Sequence, residues 1–72
     1  LMSFKAYIDN IESNTGKTPK DFKLAADKKG LLEAGIKASV VFKWLKDDYG
    51  LGLGHARAIY MTLKPYIKKK LS

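Results

Sequence analysis

The chain has 72 residues, enough for one small domain. Its 46% hydrophobic content is too high for a disordered chain, and the absence of cysteine excludes a disulfide framework and a thiolate metal site. A formal charge of +7 points to an anionic partner, and the lack of any long apolar run or signal-peptide core leads us to expect a cytoplasmic protein with no membrane segment.

Ser3 is suited to cap a first helix, in which Phe4, Tyr7, Ile8 and Ile11 recur at i, i+3, i+4 and i+7. That apolar stripe is expected in the core, with Lys5, Asp9, Glu12 and Ser13 facing water. Asn14-Thr15-Gly16 ends the helix, glycine suiting the left-handed position that follows. Thr18-Pro19-Lys20-Asp21 then places a cap, a proline at the first helical position and an acid three residues after the cap. This start signal makes Asp21 a capping residue, not a catalytic acid. Phe22, Ala25 and Ala26 supply the inward face of the second helix, and Lys28-Lys29-Gly30 closes it. In the connection Leu31–Gly35 both leucines should turn inward.

A third helix is predicted from about Lys37 to Asp48, with Ile36, Val40, Val41, Trp44 and Leu45 on its apolar face and Phe42 and Tyr49 widening it. It is expected to be the least polar and central helix, with Trp44 as the largest packing unit. Tyr49-Gly-Leu-Gly-Leu-Gly54 follows as a tight turn in which Leu51 and Leu53 are the available anchors. The last helix should begin near Gly54 or His55, burying Ala56, Ile59, Tyr60, Leu63 and Ile67. Arg57, Met61, Lys64 and Lys68 form a second stripe on another face. Pro65 ends or kinks this helix, so Lys68-Lys-Lys70 either extends the basic face or forms a tail. With no strand signal, the expected fold is an all-α compact orthogonal bundle of four or five short helices. Residues 3–68 would form the domain and 69–72 a basic C-terminal tail.

The charge is unevenly placed. Residues 1–36 carry six lysines against five acids, a balance of +1. Residues 37–72 carry eight basic groups against Asp47 and Asp48, a balance of +6. Catalysis is not expected: one histidine, no cysteine, and an adjacent Asp47-Asp48 pair that points in different directions on a helix supply no nucleophile–base pair and no metal cluster. No cofactor motif is present, and a phosphate-binding G-x-x-x-x-G-K-[S/T] loop is absent.

Gly52-Leu53-Gly54 with Ala58 and Met61, and equally Gly50-Leu51-Gly52 with Ala56 and Ile59, resembles the helix-hairpin-helix motif. That resemblance implies backbone amides gripping a nucleic-acid phosphate without reading sequence. It nominates Gly52, Gly54 and His55 as the grip, with Arg57, Lys64 and Lys68 adding charge. Gly54-His55-Ala-Arg57 is also similar to the start of the last helix of sterile-alpha-motif domains. That family mostly binds other copies of itself, some members bind RNA, and His55 would there be structural. Across nearly all of residues 4–64 the chain resembles a small bacterial family known only as a domain of unknown function. The resemblance is carried by Phe4–Glu12, Thr15-Gly-Lys-Thr-Pro19 with Asp21-Phe22, Trp44-Leu-Lys46, Gly50-Leu-Gly52, Gly54-His-Ala56 and Ala58-Ile59. Members of that family commonly have an acid where Lys20 stands and often a polar residue at Leu53.

The sequence therefore supports a binding module, with DNA or RNA as the expected partner. A protein-interaction domain is the alternative, and a third reading has the glycines serving only to let helices pack closely.

Overall fold

The computed structural model describes residues 3–68, so the tail expected at 69–72 lies outside the described residues. Four α-helices follow in chain order, α1 (Phe4–Thr15), α2 (Pro19–Lys28), α3 (Ala38–Tyr49) and α4 (Leu53–Leu63), and a 3₁₀ turn spans Lys64–Tyr66. No strand occurs among the described residues, and the molecule is an all-α bundle. Its radius of gyration, 11.9 Å, is close to the roughly 11 Å expected of a folded chain this long.

Local signals set the helix starts. Ser3 Oγ accepts from the Ala6 amide at 3.2 Å. Thr18 Oγ1 accepts from the Asp21 amide at 3.3 Å while Asp21 Oδ2 accepts from the Thr18 amide at 2.9 Å, closing a reciprocal cap. At the other ends, Gly16 at φ 70° donates to Glu12 O and Gly50 at φ 67° donates to Lys46 O. Each takes the left-handed geometry that a side chain would strain.

The centre of the bundle is α4, not α3. α4 packs against α1, α2 and α3, and its Ala56, Ile59 and Leu63 are buried beside Ile11, Phe22, Val41 and Leu45. The reason lies in charge. α3 carries Lys43, Lys46, Asp47 and Asp48 and must keep one face in water, whereas Arg57 is the one full charge in α4. Leu31, Leu32 and Trp44 are buried as expected. The Trp44 ring meets Tyr49 edge-on at 5.5 Å, and its buried Nε1 has no hydrogen-bond partner.

Three residues expected in the core stand exposed. Phe4 is 52% exposed at the first position of α1, Val40 is 43% exposed, and Leu53 is 57% exposed. Leu51 alone anchors the glycine turn. Leu53 is the first residue of α4, where 100° per residue puts it within about 40° of the exposed Arg57 and Lys64 and about 120° from the buried Ile59. Ala58, unassigned by periodicity, is buried.

α4 ends at Leu63, and the 3₁₀ turn holding Pro65 redirects the chain. Ile67 packs on the core and the Lys68 amide donates to Leu32 O at 2.8 Å. Lys68 Nζ meets Glu33 Oε1 at 3.0 Å, so Lys68 does not extend the stripe of Arg57 and Lys64. The proline deprives the helix of a donor, and the chain turns back to cover Leu32.

Candidate functional site

The corner between α3 and α4 is built from the glycine turn. Gly50 turns the chain at positive φ, Leu51 drops into the core, and Gly52 becomes the residue before α4 in extended geometry, φ −68° and ψ 170°. Without a side chain, Gly52 offers no cap, and none is supplied from elsewhere among the described residues. Ala56 is the first α4 amide with a backbone acceptor, Gly52 O at 2.8 Å, so the amides of Leu53, Gly54 and His55 have none. The positive end of the helix dipole is therefore bare.

Two grooves flank this start. One, of about 480 Å³, is lined by Phe42, Lys43, Lys46, Asp47, Leu51, Gly52, Leu53 and Ala56. Its floor is apolar and its rim carries two lysines against one aspartate. The neighbouring Asp48 is already paired with Lys29 at 3.3 Å. The second groove, of about 280 Å³, is polar and lies towards α1, where Asn10, Asn14, Thr15, Tyr49 and His55 meet Gly50 and Gly52. Gly52 borders both.

His55 is half-buried and engaged. Its Nε2 lies 3.0 Å from Asn10 Oδ1, which also accepts from Asn14 Nδ2 at 3.0 Å. With that oxygen accepting, Nε2 is the donor. The ring also meets Tyr7 edge-on at 5.0 Å. The imidazole thus ties α1 to α4 through Nε2, and the His55 amide has no acceptor among the described residues. Gly54 has a packing reason of its own, because a Cβ there would lie 3.2 Å from Tyr7 Oη.

Of the cations nominated by sequence, Arg57 and Lys64 share the exposed face of α4, about 10 Å apart along its axis. Arg57 borders a different groove, with Phe4, Tyr7, Gly54, Ala58 and Met61. Lys68 is turned to Glu33. The lysines that do border the groove at Gly52 are Lys43 and Lys46, which sequence reasoning passed over. Their i, i+3 spacing shortly before the positive-φ Gly50 was the available signal, readable only once α3 and α4 are known to pack side by side.

No set of three histidine, cysteine, aspartate or glutamate side chains able to hold a metal ion occurs among the described residues. No helix among them is long and apolar enough to cross a membrane.

A small all-α module with an uncapped helix start beside a lysine-edged groove is the class of protein this fold and corner define. Residues 3–64 match the family model described as Domain of unknown function (DUF4287), and the chain belongs to that family. No curated protein matches it, and no solved structure does.

Proposed function

We propose that this protein is a non-catalytic binding module that takes a polyanion, in the first place a nucleic-acid backbone, at the corner between α3 and α4. Lys43, Lys46 and Gly52 lining one groove is the observation that carries this reading. A phosphate oxygen at the start of α4 would accept from the bare amides of Leu53, Gly54 and His55, with the two ammonium groups replacing condensed counterions. Amides and ammonium groups read charge and not bases, so binding is sequence-independent. Arg57 and Lys64 add long-range field from the exposed face of α4, consistent with the +6 balance of residues 37–72.

Titration of isotope-labelled protein with single-stranded DNA, duplex DNA and RNA at two salt concentrations tests this. Amide shifts should cluster at residues 43–56 and affinity should fall with salt. Changing Lys43 and Lys46 to alanine should each lower the salt slope by about 1. Salt-indifferent binding, or shifts that avoid the corner, would refute the proposal. Protein interaction is the second reading, favoured by the exposed Phe4 and Met61 on one groove.

A further inference from the structure

Where α1 crosses α4, two large apolar side chains stand exposed beside an arginine. Phe4 and Met61 are 52% and 58% exposed, and they edge a groove of about 340 Å³ with Ala58 and Gly54 along its α4 side. Gly54 presents no side chain and Ala58 is a methyl, so a partner's backbone can approach α4 closely there. Tyr7 and Arg57 are the polar members of the lining. Arg57 has no ion-pair or side-chain hydrogen-bond partner among the described residues. No acid lines the groove, and Lys64 follows on the same face of α4.

Aromatic, methionine and arginine side chains together have the composition of a protein-binding hot spot. From Gly54 to Met61 the groove follows α4 for about 10 Å, two helical turns, which suits anchors spaced i, i+4 and i+7 on a partner helix. Charge decides between partners. A second copy would bring another +7 to a face that is already cationic. An acidic segment would instead place a carboxylate on Arg57 and apolar side chains between Phe4 and Met61.

We infer that the α1–α4 groove is a docking surface for an acidic amphipathic helix of another protein. This docking rests on the protein-interaction reading; the groove meets the lysine-edged corner at Gly54, but Phe4, Tyr7, Ala58 and Met61 do not line that corner.

The test uses a helical peptide of about 15 residues with leucine at i, i+4 and i+7 and glutamate on the flank meeting Arg57. A matched peptide carries lysine in place of glutamate. The acidic peptide should shift the amides of Phe4, Tyr7, Ala58 and Met61 and leave Lys43 and Lys46 unmoved. Met61→Ser should weaken it about tenfold, the loss of one buried apolar anchor. Arg57→Glu should weaken it similarly and let the lysine peptide bind in its place. These side chains are exposed, so unchanged thermal melts of the variants should separate lost binding from lost fold. Equal binding of both peptides, shifts elsewhere, no binding at all, or sedimentation showing self-association through this face would each overturn the inference. DNA titration of Met61→Ser should match that of the parent protein.

Discussion

Asp21 shows how one residue ties folding to pH. The Thr18 amide and hydroxyl both donate to its carboxylate, at 2.9 and 3.1 Å, and these bonds hold its pKa below the ordinary carboxyl value. A folded-state pKa below the unfolded one gives stability that is present above the unfolded value, about 3.9. That stability is lost as pH falls from there through the lowered folded value. Asp21→Asn should therefore flatten the acid limb of a stability–pH curve below about pH 4 and leave its shape at neutral pH unchanged. An unaltered acid limb in the variant would contradict this account of the cap. Trp44 presents the reverse case, a buried donor with no acceptor. Trp44→Phe removes a desolvation penalty of about 1–3 kcal/mol while losing packing of comparable size. Chemical denaturation should show a net change within about 1 kcal/mol, and a loss above about 3 kcal/mol would mean the indole N–H is satisfied after all.

At the scale of elements, the two glycines around the start of α4 play different parts. Gly52 has open space where a Cβ would go and a backbone any residue can adopt, whereas a Cβ on Gly54 would press on Tyr7, whose ring meets His55 edge-on. Gly52→Ala should be tolerated. Gly54→Ala should cost about 1 kcal/mol, crowding outweighing the gain in helix propensity, and should move the Tyr7 ring signals. A stabilised variant with unmoved signals would show that α1 does not press on α4 there. The caps, the helix bounds and the inward Leu31 and Leu32 were legible in the sequence because each depends on neighbours within a few residues. Lys43 and Lys46 at the corner were not, because their place depends on how α3 lies along α4. The burial of Ala58 and the exposure of Leu53 escaped for the same reason: periodicity defines a stripe, but three neighbouring helices decide how much of α4 is covered. The primacy of α4 was readable from its single full charge, had charge been weighed above aromatic content.

For the whole molecule, stability rests on a small core gathered around α4 and reinforced where Lys68 returns to Leu32. A domain of this size is stable by only several kcal/mol, while emptying a fully buried isoleucine site costs about 2–5 kcal/mol. Ile59→Ala should therefore leave the protein largely unfolded at room temperature by circular dichroism, whereas Met61→Ala, on the exposed face, should melt like the parent. A cooperative melt of Ile59→Ala near that of the parent would contradict the central place given to α4. The proposed polyanion binding requires the corner to stay open, and a carboxylate built into the chain would compete with a phosphate for the same amides. Gly52→Asp has the space and the backbone geometry to cap α4. The most direct measurement is thus the melting temperature and the low-salt DNA affinity of Gly52→Asp beside the parent protein. A raised melting temperature with affinity lost is the predicted result; a raised melting temperature with affinity intact would contradict binding at the start of α4.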